Sequence, residues 1–294
     1  RGVAYLISEG PLVRIGKVEF IGNDRNFVAD GRLKTLIQSK PGILKYFLRG
    51  QLDRTKVQDD KEKLTAYYRS FGYFRARVDR ELEYSDDGRW VTLRFVIDEG
   101  PRYVVRDVSV IGNEKFKKDT LESRLKMKSG DFFNVGRMNR DRGKLLDIYG
   151  GYGHVYADIK SETRFSETPG QLDVVFKIVE GAQYRIGKIN VHIAGEMPHT
   201  RQSVILKRLS LNPGDIVDVR ELRASERRLK SSQLFVNNPA NGRPPEIRVR
   251  PLVESVANRR GRRGPSSRGQ SPDGRGPQGP PREMVVDIFV TSKA

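Results

Sequence analysis

Val91, Leu93, Phe95 and Ile97 alternate with Thr92, Arg94 and Val96, and Leu172, Val174, Phe176 and Ile178 repeat that pattern. A period of two marks a strand with one buried face. Val286, Ile288 and Val290 carry it a third time. An earlier strand type shows the same period, with Val18 and Phe20, Val108 and Val110, and Ile189, Val191 and Ile193 set between polar neighbours. Between the two types the spacing changes to three and four, as in Leu64, Tyr67, Tyr68 and Phe71. This predicts helices over Val57–Phe71, Met138–Tyr149 and Leu222–Leu234. A shorter helix is predicted at Asp119–Leu125, with Leu121 and Leu125 on one face.

Short polar signals punctuate these elements in a fixed order. Glu9-Gly10, Glu99-Gly100 and Glu180-Gly181 each close an apolar run, and Ile15-Gly16-Lys17, Val105-Arg106-Asp107 and Ile186-Gly187-Lys188 then open a strand. Gly22-Asn23 and Gly112-Asn113 supply residues that tolerate positive φ for the turn that follows. Gly72 and Gly153 stand at helix exits, and Gly72-Tyr73-Phe74-Arg75-Ala76-Arg77-Val78 aligns without gaps on Gly153-His154-Val155-Tyr156-Ala157-Asp158-Ile159. A second strand is predicted there, over Arg75–Leu82, Tyr156–Arg164 and Glu246–Leu252. The repeating unit is therefore β-α-α-β-β, an α+β fold in tandem.

The expected divisions are residues 1–10 as the last strand of a preceding unit, then units at 11–100, 101–181 and 182–294. The third departs from the pattern. Ala194-Gly195-Glu196 stands near the Gly-Asn position, Gln233 replaces the helix-exit glycine, and Ser292 stands where Glu99 and Glu180 stood. Its last two strands are separated by residues 254–282, with seven Arg against Glu254 and Asp273 among Gly, Pro and Ser. Such a segment cannot bury enough apolar surface to fold alone, so disorder is expected in a greatly expanded hairpin loop.

Composition narrows the function classes. Lys and Arg number 55 against 37 Asp and Glu, a net charge of +18, which suits acidic proteins, anionic lipid or nucleic acid alike. The basic segment contains no Phe, Tyr or Trp for base stacking, so a lipid or glycolipid phosphate fits Arg259, Arg260, Arg262 and Arg263 at least as well as nucleic acid. With no Cys, disulfides and thiolate chemistry are excluded. His154, His192 and His199 form no metal-spaced pair, and no nucleophile elbow or phosphate loop appears. Asp59-Asp60 and Asp86-Asp87 read as a helix start and a turn, and His192 as a solvated imidazole. No catalytic site and no cofactor are expected.

Taken together, the Glu-Gly end, the Ile-Gly-x-Val/Ile start, the Gly-Asn turn and the Gly-Tyr-Phe helix exit resemble the POTRA repeats of the BamA-like outer-membrane barrel-assembly family. The resemblance implies modules with a three-stranded mixed sheet covered by two helices. It also implies a periplasmic location, a membrane β-barrel following the chain, and a non-catalytic scaffold role. The implied partners are unfolded outer-membrane proteins and accessory assembly subunits or lipoproteins. Two-partner secretion and organelle-import translocators use the same modules and are the alternative within that class.

By resemblance, the second strand of each module is the edge to which an extended client adds. The candidate residues are Arg75, Arg77, Val78, Arg80 and Leu82, then Tyr156, Ile159 and Lys160, then Ile247, Arg248, Val249 and Arg250. Each strand carries charges that discourage self-association while leaving main chain available; an ordinary solvated edge is the other reading. Ile43, Leu44, Tyr46, Phe47 and Leu48 form an apolar cluster between the first module's helices, either local core or a patch for a partner or membrane surface.

Overall fold

In the computed structural model, residues 12–42, 50–195, 201–238, 240, 242–252 and 281–292 are described. The expectations for 1–10, for the 43–48 cluster and for the Arg259–Arg263 run lie outside these residues. So does the expected loop, apart from Pro281 and Arg282 at its end.

The element order runs β1 (Arg14–Ile21), α1 (Asp30–Leu36), α2 (Arg54–Ser70), β2 (Arg77–Tyr84) and β3 (Trp90–Asp98). It continues with β4 (Val104–Ile111), α3 (Lys118–Arg124), α4 (Val135–Gly151), β5 (Asp158–Phe165) and β6 (Gln171–Val179). The last five are β7 (Tyr184–Ala194), α5 (Gln202–Leu206), α6 (Val219–Ser231), β8 (Glu246–Pro251) and β9 (Arg282–Thr291). Three mixed sheets result, in the orders β1-β3-β2, β4-β6-β5 and β7-β9-β8. The chain forms two compact units. One comprises Arg1–Ser109, Lys126–Arg140 and Glu162–Val175; the other comprises Val110–Leu125, Asp141–Ser161 and Phe176–Ala294. The first sheet lies in the former, the third in the latter, and residues of the second in both.

In each sheet the last strand is central. It pairs parallel with the first strand and antiparallel with the second, as in β1–β3 and β2–β3 and in β7–β9 and β8–β9. A central strand must be the most apolar, and β3 buries Val91, Leu93, Phe95 and Ile97. In β9 burial runs without a break from Met284 to Ile288, so both faces are covered. Ile15, Leu33, Leu64 and Tyr68 complete the first core, and Ile186, Ile205, Leu229 and Phe235 the third.

The Ile-Gly opening proves to be a β-bulge. Register shifts between Ile15 and Lys17 on β1, and between Ile186 and Lys188 on β7. The extra residue puts Ile15 and Val18 on the same buried face at a spacing of three.

The Glu-Gly and Gly-Asn signals are two halves of one contact. Glu180 Oε1 accepts the amides of Glu114 and Lys115 at 2.8 and 2.9 Å, closing the turn after Gly112. Glu99 Oε1 accepts Asp24 N at 2.7 Å. Where the third module has Ser292, its amide bonds Ala194 O at 2.9 Å.

Three sequence expectations need correction. The third long helix stops at Ser231, not Leu234, because Gln233 takes φ +58°, the left-handed exit that Gly72 and Gly153 supply two residues beyond their helices. Leu234 and Phe235 prolonged the apolar phase, but Phe235 is instead buried beside the sheet and bridges Ser292. Asp60 is not a helix-start cap. It is fully buried within α2 and accepts the amides of Gln38 and Ser39 at 2.7 Å each, fixing the chain after α1, while Asp53 caps α2. His192 is half-exposed but not simply solvated: its ring stacks on Phe289 at 4.6 Å and Nε2 lies 3.3 Å from Asp287.

Candidate functional site

The strand orders leave two edges per sheet, and they differ. At its start the first strand is already covered by the segment leading into the longer helix. Ile15 N donates to Gly50 O, and Leu52 N to Val13 O. Val105 with Asp131 and Phe133 with Tyr103 repeat the arrangement, as do Ile186 with Asp215 and Val217 with Tyr184. The second strand terminates each sheet on the other side.

On β2 the outward groups follow from register. Ser85 N donates to Trp90 O at 3.0 Å, continuing the pairing of Tyr84 with Val91. Antiparallel ladders alternate bonded and non-bonded pairs, so the peptide groups of Val78, Arg80, Leu82 and Tyr84 turn away from β3. On β8, Leu252 N donates to Glu283 O at 2.9 Å, which by the same alternation turns Ile247, Val249 and Pro251 outward. Proline carries no N–H and suits that position, because no ladder bond is lost there.

The structure distributes the expected site residues unevenly. Arg77, Lys160 and Arg248 are exposed, while Val78 and Ile159 are buried and offer only backbone to the edge. Leu82 packs against the first core, and Ile247 and Val249 against the third. Arg75 and Tyr156 fall in the turns before β2 and β5, not on the strands. The left-handed helix exit delays each strand by a further turn, and Tyr156 instead packs edge-on against Tyr184 at 5.4 Å.

The arginines of β8 are engaged. Arg248 Nε donates to Glu246 Oε1 at 2.6 Å and Arg250 Nε to Asp287 Oδ2 at 2.7 Å. Burial raises the Asp287 carboxyl, but bonds from Asn190, Arg250 and His192 outweigh it and hold the group below its ordinary range. Arg248 foremost, with Arg243, likewise lowers Glu246 against a partial burial that raises it.

Sequence periodicity named Arg80 but missed Asp79 and Lys61, which meet it at the β2 edge. Asp79 Oδ1 accepts Arg80 N at 2.9 Å and Lys61 Nζ at 3.2 Å, and Arg80 Nη1 is a buried atom without a hydrogen-bond partner. The signal for Pro251 was present, since a proline inside an alternating run marks an edge strand.

Among the described residues, no three His, Asp or Glu side chains are grouped to hold a metal ion. His154 is buried with Nδ1 3.2 Å from Gly181 O; a carbonyl only accepts, so that nitrogen carries the proton. No described helix is long and apolar enough to cross a membrane.

Comparison with known proteins agrees with this architecture. The chain is 28% identical over 236 residues to the outer membrane protein assembly factor BamA of Neorickettsia risticii, covering 79% of this chain and 31% of that protein. It is 27% identical over 235 residues to BamA of Neisseria meningitidis, covering 79% and 29%. The chain thus spans less than a third of either relative. A crystal structure of POTRA domains 3–5 of Haemophilus influenzae BamA superposes with a TM-score of 0.58 at 16% identity, covering 98% of this chain and all of that one. The POTRA model, described as surface antigen variable number repeat, matches residues 13–100 and 103–181. The chain belongs to the POTRA family.

Proposed function

We propose that this chain is the periplasmic region of an outer-membrane protein assembly factor, and that it holds extended clients by adding them as a further strand beside the second strand of a module. The observation that carries this reading is the strand order, which leaves β2, β5 and β8 terminal in their sheets. The alternation derived for β2 and β8 turns main-chain groups outward there. Main-chain pairing is indifferent to client sequence, as a factor serving many barrels requires. The similarity to BamA proteins supports the periplasmic setting, attachment through a β-barrel, and unfolded outer-membrane proteins with accessory subunits as partners. The fold acts as a scaffold without catalysis, and residues 11–100, 101–181 and 182–294 are its working modules.

The test is photo-crosslinking in cells, using the full-length protein with probes at the exposed edge positions Arg77, Glu81 and Arg248. Probes at Val78 and Ile159 would report on the cores instead. Capture of unfolded barrel precursors from the edges, but not from a probe at Gln58 on α2, is the expected result. Equal capture at all positions, or none at the edges, rejects strand addition.

A further inference from the structure

The Asp79 carboxylate is held on an amide that an added strand would need. Arg80 pairs across the sheet with Phe95 at a position whose peptide N–H points away from β3. That N–H donates to Asp79 Oδ1 at 2.9 Å. The same oxygen receives the ammonium of Lys61 at 3.2 Å, from α2, which lies along β2. An exposed ion pair is ordinarily a weak, solvated contact, and Asp79 is 79% exposed. What separates this pair from that class is the third partner, a backbone donor on a sheet edge satisfied by a side chain of its own strand. Natural sheets protect their edges with charges, and here the charge sits on the ladder position itself.

We propose that Asp79 guards the β2 edge: an incoming strand must displace its carboxylate from the Arg80 amide, and a strand carrying a basic side chain beside Asp79 is preferred because it offers the carboxylate a replacement partner. This rests on strand addition at β2 and adds the determinant of which strands add there. The Arg80 amide, foremost, and Lys61 hold the Asp79 carboxyl below its ordinary range, so the guard is ionised at neutral pH. An acidic strand displaces the carboxylate from the Arg80 amide and offers it no new partner, whereas a basic one brings a cation of its own beside Lys61.

The experiment titrates the chain with two extended peptides of identical apolar alternation, bearing Lys or Glu at the polar positions. Kd is measured by anisotropy, and docking is located by amide shifts along β2. The wild-type chain should bind the Lys peptide about fivefold more tightly than the Glu peptide, the fold-change of roughly one net hydrogen bond. Asp79→Ala should tighten Glu-peptide binding and bring the ratio close to one. Lys61→Met, which removes the cation Asp79 already holds and keeps the aliphatic stem, should tighten Lys-peptide binding, weaken Glu-peptide binding and so widen the ratio. If Asp79→Ala keeps the wild-type affinities and ratio while β2 amides still report docking, the guard is wrong and strand addition stands. If β2 amides never respond in any variant, both fail.

Discussion

The Tyr149 hydroxyl donates a 2.9 Å hydrogen bond to Glu180 Oε1, and the same oxygen accepts the amides of Glu114 and Lys115. One buried carboxylate thereby ties the long helix, the turn after the first strand and the end of the last strand together. Glu180→Ala leaves three donors without an acceptor and should cost about 3 kcal/mol. Tyr149→Phe removes one bond and should cost about 1 kcal/mol. Urea denaturation of both variants checks the ordering; a Glu180→Ala cost no larger than that of Tyr149→Phe would contradict the shared-acceptor account.

The turn glycines divide into two classes that a stability series separates. Gly22 has φ +86°, and a Cβ there would meet Ile97 O at 2.2 Å. Gly88 has φ +65°, but a Cβ meets nothing within 4 Å. Gly88→Ala should cost only the left-handed penalty, about 1 kcal/mol. Gly22→Ala adds a backbone clash and should cost about 3 kcal/mol or more. Melting temperatures of the two variants measured side by side decide this, and equal shifts would refute it.

Gln233 is the one non-glycine residue with positive φ among the described residues. It stands two positions beyond α6, where α2 and α4 have Gly72 and Gly153. Gln233→Gly should raise stability by about 0.5 to 1 kcal/mol, the relief of the left-handed conformation less the added unfolded-state entropy. A lower melting temperature would show that the Gln233 side chain contributes more than its backbone costs.

The elements read from periodicity are those whose core-facing side chains recur at a fixed spacing, which is why β3 and its counterparts and the long helices were legible. Three kinds of feature were not. The bulges at Gly16 and Gly187 were written as a spacing of three between Ile15 and Val18 and between Ile186 and Ile189, an interruption of alternation that an averaging eye treats as noise. Asp60 sits four residues before Leu64 and eight before Tyr68, on the buried stripe, as Asp141 does before Leu145 and Tyr149. A polar residue recurring in apolar phase was the available sign. Asp79 left no sign, because a side chain turning back onto the next amide depends on edge geometry and not on period.

Acid should selectively weaken the third sheet through Asp287. Its carboxyl is held below its unfolded value by Asn190, Arg250 and His192, the charged and polar groups facing it. A lowered folded-state value means the stabilisation is fully present above about pH 4, the ordinary Asp range, and is lost as pH falls through the folded value. Asp287→Asn should therefore lower the melting temperature at pH 7 and shrink its deficit towards pH 3. A deficit independent of pH would assign the effect to packing instead.

Arg102 stitches the segment after β3 to the exit of α2. Its Nε donates to Phe71 O at 3.0 Å, and its guanidinium lies 4.4 Å from the Phe132 ring, 5.2 Å from Phe27 and 5.6 Å from Tyr73. A flat, delocalised cation can face several rings and still donate in its own plane, which an ammonium cannot. Arg102→Ala should cost about 2 kcal/mol, and Arg102→Lys should recover less than half of it. Hydrogen exchange adds a local readout, because Tyr103 N donates to Gly72 O at 2.9 Å. In Arg102→Ala the Tyr103 amide should exchange faster while those of β3 keep their protection. Full rescue by lysine would mean that charge alone matters at this joint, and uniform acceleration across β3 would mean that Arg102 supports the whole first sheet.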